Sequence, residues 1–183
     1  MEQVITPSDI VSYWFSDETR PKWFEGGPDF DEELRRRYAG AWEEARQDAF
    51  DHWTATPEGV LALVILLDQI PRNIHRGTPA AFSTDPQARH WAKWAVEQGM
   101  DQRLGQEQRQ FLYLPFMHSE MLEDQEEGMA LYTALGLEMQ LDYMRRHRDI
   151  IARFGRFPHR NDILGRASTP EEIEFLTQPG SRF

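Results

Sequence analysis

The longest uninterrupted apolar run is Val60 to Leu67, eight residues with no polar position among them. A helix without a polar stripe must be enclosed on every side, so this run predicts the central helix, started by Thr56-Pro57-Glu58. Elsewhere apolar residues recur every three to four positions, the period of a helix with one buried face. Asp29 to Trp53 reads as a long helix on Phe30, Leu34, Tyr38, Trp42, Ala45, Ala49 and Trp53. Asp85 to Gly99 follows, with Trp91, Trp94 and Ala95 facing inward, and then Gln106 to Leu122, Asp124 to Leu135 and Leu137 to about Phe154. Thr6-Pro7 and Thr169-Pro170 mark helix starts, where a threonine oxygen caps and proline suits the first turn. Gly136 and Gly155 mark helix ends. No alternating pattern reads as a strand. The expectation is an all-α chain of about seven to eight helices, short connections making neighbours antiparallel, in one domain over residues 1–183 with 178–183 as a flexible tail.

Two positions break the pattern. Pro115 lies inside FLYLPFMHSEML, where it removes a donor and clashes with the carbonyl of Phe111, so a kink is predicted. Asp68 directly follows the buried leucines and is placed in the last turn of the central helix, where a carboxylate opposes the dipole. It therefore needs a cation or several donors, and Arg72, Arg76 or a more distant arginine can supply them.

Charge then singles out the last quarter of the chain. Arg145 to Arg166 holds seven arginines against Asp149 and Asp162, a formal +5 in a chain of −11. Guanidinium groups match carboxylate and phosphate geometry with paired donors. These arginines either neutralise acidic neighbours or hold a ligand. Asp149 and Arg153 stand at i, i+4 in the favourable order for an ion pair. The acidic remainder argues against duplex DNA and an anionic membrane, and no segment has the length of a membrane span, so a cytoplasmic protein is expected. With no cysteine in the chain, thiolate nucleophiles and Cys-ligated metals are excluded. No metal-ligand spacing or Gly-rich phosphate loop is present, so no cofactor or metal is assigned. His118 and Glu120 lie roughly 200° apart on a regular helix and cannot share one ion.

The blocks LDQIPRNIHRGTPAAF, FLYLPFMHSE and HRDIIARFGRFPHRNDILGR, with Tyr13-Trp14-Phe15 near the start, resemble the uncharacterised domain-of-unknown-function (DUF) family 924. The resemblance implies a right-handed superhelix of antiparallel helix pairs similar to tetratricopeptide (TPR) repeats, and it implies no activity, cofactor or catalytic residue. Two functions fit. The first is a site for a small phosphate- or carboxylate-bearing anion. Its binding residues are Asp68, Arg72, Asn73 and Arg76 from one turn and Arg153, Arg156, His159, Arg160 and Asn161 from another, the two turns meeting in space. Its catalytic candidates are His118, Glu120 and His147, for acid/base work. The second is a non-catalytic interaction module that receives a peptide or acidic partner.

Overall fold

The computed structural model describes residues 4–183. It is all-α, with no strand among the described residues, and no helix there is long and apolar enough to cross a membrane. Where one continuous core was expected, the chain divides into two compact units. The first runs to Arg76 and resumes over Ala80–Pro115; the second joins Gly77–Pro79 to Phe116–Phe183.

The first unit is built round the apolar run. Helix α3 (Pro57–Val64), a π-helical turn (Ile65–Gln69) and α4 (Ile70–Ile74) follow without interruption. Every side chain from Val60 to Leu67 is at most 1% exposed. Around α3 pack α1 (Pro7–Trp14), α5 (Asp85–Glu97) and α6 (Gln106–Leu112), while α2 (Pro28–Ala45) packs on α4. The inward residues of α5 are Ala88, Ala92 and Ala95, with Trp91 and Trp94 only half-buried. Small side chains let α5 approach α3 closely, which periodicity alone did not separate from an aromatic face. Gly59 is required at the start of α3, because a Cβ there would lie 1.9 Å from the Trp53 carbonyl oxygen. Thr56 caps the same turn by accepting from the Gly59 N–H at 3.0 Å.

Helix α2 ends at Ala45, eight residues before the expected end at Trp53. Asp48 takes a left-handed φ of 64°, which ends helical propagation, and Asp51–Ala55 forms a separate 3₁₀ segment. The apolar stripe carries on through Ala49 and Trp53 because the returning chain still faces the core.

The π turn answers a proline. Pro71 has no N–H for the Leu67 carbonyl and its ring clashes there; the wider turn opens the ladder, with Ile70 donating to Ile65, five residues back. The freed carbonyls find side chains. Thr84 Oγ1 donates to the Leu67 oxygen at 2.5 Å and Arg72 Nη1 to the Asp68 oxygen at 2.7 Å. Asp68 is thus mid-helix, not in a last turn, and is 0% exposed. Its carboxylate accepts from Gln69 Nε2 at 2.7 Å and lies 3.5 Å from Arg72 Nη1.

Helix α7 (Leu114–His118), most of which belongs to the second unit, is separated from α6 at Tyr113, two residues before Pro115, where the kink was expected. The carbonyls at the end of α7 are gathered by the Gln125 amide, within 2.7 Å of those of Met117 and Ser119. Helices α8 (Leu122–Leu135) and α9 (Glu138–Phe154) pack together across Gly136. Gly128 sits at their contact: a Cβ there would come within 2.9 Å of Met144. Beyond α9 come α10 (Asn161–Leu164) and α11 (Pro170–Phe175), the latter capped by Thr169 and Glu172 in a reciprocal box. Residues 178–183 do not behave as the expected tail. Ser181 is buried and donates to the Leu176 carbonyl, and the Phe183 ring stacks on His147.

Replacing Asp68 with alanine takes one of two carboxylates from Arg72, which keeps its fork to Asp85, and leaves the buried Gln69 amide without that acceptor. Removing one partner of a buried pair costs about 3–5 kcal/mol, so Asp68→Ala should lower the melting temperature by on the order of 10 °C. A melt that coincides with the parent's would refute this role.

Candidate functional site

In the turn of the first unit, each arginine put forward from the sequence is held by a carboxylate. Arg72 makes a fork to Asp85, Nη1 to Oδ1 at 2.7 Å and Nη2 to Oδ2 at 2.9 Å. Arg76 makes the same fork to Asp31 at 2.7 and 2.8 Å, and its Nη2 lies 3.4 Å from the Asn73 side-chain oxygen. Asp31 and Asn73 are both buried. Here the arginines serve the fold.

The basic island of the second unit disperses onto separate partners. Arg146 reaches Asp142 at 2.7 Å, and Arg148 reaches Glu126 at 2.8 Å and Asp149 at 3.1 Å. Arg153 was expected to pair with Asp149; it lies over the Phe154 and Phe175 rings at 4.6 and 5.6 Å. Arg156 grips Glu172, Nε to Oε2 at 3.0 Å and Nη2 to Oε1 at 2.7 Å. Glu172 is pulled down to about 2 by Arg156, against its burial and with help from Asn161 and Thr169. Arg166 grips Glu120 at 2.8 and 3.0 Å, and the same carboxylate accepts from the Phe157 N–H at 2.8 Å. Burial would raise Glu120, but these donors hold it below the usual carboxylate range. Asn161, 0% exposed, joins the two pairs: its Nδ2 donates to Glu172 at 2.9 Å and its Oδ1 accepts from Arg166 Nε at 2.9 Å. Glu120, Arg156 and Asn161 are therefore joined in one network, buried at Asn161 and Glu172 and half-buried at Glu120, Arg156 and Arg166, and Glu120 is engaged as an anion within it.

Three imidazoles, those of His118, His147 and His159, lie in the same unit. His118 and His147 have ring centroids 6.4 Å apart, and His159 lies 5.7 Å from the Phe157 ring. Arg160, itself buried, sits over that Phe157 ring at 4.6 Å and donates to the His118 carbonyl at 3.1 Å. His147 Nδ1 lies 2.7 Å from the Tyr143 carbonyl oxygen, so its proton is on that nitrogen. His159 Nδ1 is buried without a hydrogen-bond partner. Burial pushes His147 down to about 3, with His118, Arg160 and His159 adding to the shift. Burial, then Arg160 and Arg182, push His159 down to about 4, and Glu120 only partly offsets them. Both rings are neutral near pH 7.

An open cleft of about 460 Å³ is lined by Asp162, Arg166, Ala167, Ser168, Ile173, Leu176, Thr177 and Arg182. Arg166 and Arg182 belong to both settings, since they line the cleft and their charges act on His159. Arg182, Ser168 and Thr177 were not singled out from the sequence. A lone arginine beyond the last helix and two hydroxyls in turns carry no pattern to find them by. Among the described residues no three His, Asp or Glu side chains are grouped as metal ligands.

The depressed histidines give acid sensitivity a direction. An unfolded chain binds a proton at His147 near 6.5, while the fold refuses it until about 3. Stability therefore rises with pH across that interval and is flat above it. Glu172, whose carboxylate is held down to about 2, adds a loss in the same direction below 4.5. Urea unfolding at pH 7.5, 6 and 5 should show a loss of about 1–2 kcal/mol from His147 alone, reduced in His147→Phe. Equal stability at pH 7.5 and 5 would contradict the assignment.

A protein of unknown function from Agrobacterium tumefaciens, ATU0120, has a similar solved structure, with a TM-score of 0.88 and 42% sequence identity. The match covers 93% of this chain and 96% of that one. No functionally curated protein matches. Residues 10–180 match the family described as "Bacterial protein of unknown function (DUF924)", and the chain belongs to that family.

Proposed function

We propose that the second unit binds a small anion, bearing a phosphate or carboxylate, in the cleft rimmed by Arg166 and Arg182. The observation that supports this reading is that two arginines lining the cleft, Arg166 and Arg182, also act on His159, whose neighbourhood holds the buried His147 and Arg160. A carboxylate or phosphate entering there would gain the guanidinium donors of Arg182 and the Ser168 hydroxyl, while Arg166, engaged by Glu120, Asn161 and Phe157, adds mainly its charge. The floor, Ile173 and Leu176, offers apolar contact to the rest of the ligand.

The reading is of binding rather than catalysis, and the depressed pKa values of two of the histidines support it. A general base works best with a pKa near the operating pH, whereas His147 and His159 are held at about 3 and about 4. Neither holds much affinity for a proton at pH 7. Their use is to be polar without being charged. The TPR-like helix pairing is carried into this proposal only for α8 and α9, whose short Gly136 connection and mutual packing suit one repeat of that kind.

Inorganic phosphate and citrate, titrated with chloride at matched ionic strength as control, should raise the melting temperature of the parent in a saturable way. Arg182→Ala, at an exposed position, should lose most of that response while melting normally without anion. An equal response of the two proteins to every anion would overturn the site.

A further inference from the structure

Phe183 occupies a place that a ligand ring could take. Its ring stacks on His147 with centroids 3.8 Å apart and planes 22° apart, and meets His159 edge to face at 5.9 Å and 74°. The imidazoles thus form two walls of a slot for one flat ring. The His147 wall is 6% exposed, while the Phe183 ring that covers it is 47% exposed. Upstream, Ser181 Oγ holds the segment to the Leu176 carbonyl by a single bond of 3.3 Å. A half-exposed ring on a single-bond anchor can leave at small cost. Its departure would open the slot beside the buried, unpartnered Nδ1 of His159, with Arg182 at the adjoining residue and on the rim of the cleft.

We infer that the ligand of this site carries a planar aromatic ring next to its anionic group, and that the ring displaces Phe183 from between His147 and His159. The inference rests on the anion-binding reading and adds the shape of the ligand to it. Neutral imidazoles suit this role: they stack on a π-face without the charge a phosphate would otherwise neutralise first. An arene carboxylate or aryl phosphate places its ring in the slot and its oxygens toward Arg182 and Arg166. A saturated ring of the same size fills the volume but does not stack.

Benzoate and cyclohexanecarboxylate are the probes, with inorganic phosphate as reference, each titrated calorimetrically against the parent and Phe183→Ala. The variant removes a half-exposed side chain, and its circular dichroism melt checks that it folds. Phe183→Ala should bind benzoate about three- to tenfold more tightly than the parent does. Its preference for benzoate over cyclohexanecarboxylate should grow by a similar factor, with phosphate unchanged. In proton NMR the His147 and His159 ring signals of the variant should shift with benzoate and not with cyclohexanecarboxylate. If phosphate binds but neither variant nor parent distinguishes the two carboxylates, the aromatic inference falls and the anion site stands. If phosphate, citrate and benzoate all fail to bind the parent and the variant, both fall together.

Discussion

A carboxylate taken out of water has to be met by enough donors to replace it, and the second unit does this for the buried Glu172 and the half-buried Glu120. Glu172 is 2% exposed and takes donors from Arg156, Asn161 and Thr169. Glu120 takes its donors from Arg166 and the Phe157 N–H. Asn161 spans the two, donating to one acid and accepting from the arginine of the other, so the two pairs cannot move independently. Those contacts tie the chain after α7, the turn at Phe157 and the start of α11. Position in this unit is therefore fixed by polar geometry as well as by apolar packing such as the cluster of Ile150, Ile151 and Phe157. Groups that pair with directional forks hold a narrower geometry than apolar surfaces do.

The first unit solves the opposite problem. Its central helix is surrounded by apolar contact and leaves nowhere for a polar atom to reach water, yet Pro71 interrupts its hydrogen-bond ladder. The break is accommodated because each freed carbonyl meets a side-chain donor, Thr84 at Leu67 and Arg72 at Asp68. Arg72 then needs an acid, which Asp85 at the start of α5 provides. One proline in the sequence thus accounts for a wide turn, a buried ion pair and the docking of a neighbouring helix.

Local signals in the sequence were read correctly where the structure uses local physics. Thr6, Thr56 and Thr169 cap helices followed by proline, and Gly136 and Gly155 close helices with left-handed φ. The enclosed run Val60 to Leu67 and the all-α class followed from periodicity. What failed to show is long-range. Arg76 pairs with Asp31, 45 residues away, and nothing in the spacing of either announces it. The basic island stood out as a run of like charges, but its arginines are spread round α9 and beyond it onto several acids and rings, with Arg145 and Arg146 sharing Asp142. The extra length assigned to α2 came from Ala49 and Trp53 keeping helical spacing after the chain had turned at Asp48. The split into two units was invisible because both have apolar stripes of the same period.

The neutrality of His147 and His159 goes with which acids are already taken. Two carboxylates of this unit are committed to arginines through a better-matched fork, Glu120 to Arg166 and Glu172 to Arg156. An imidazole offers one donor to a carboxylate where a guanidinium offers two in parallel. In competition for a buried acid the arginines win, and His147 and His159 are left to be neutral. Neutrality removes the cost of burying them charged and leaves flat, polarisable faces beside a cationic rim. That is a surface suited to a ring with a negative substituent, and it is also why Phe183, a ring with none, sits there half-exposed.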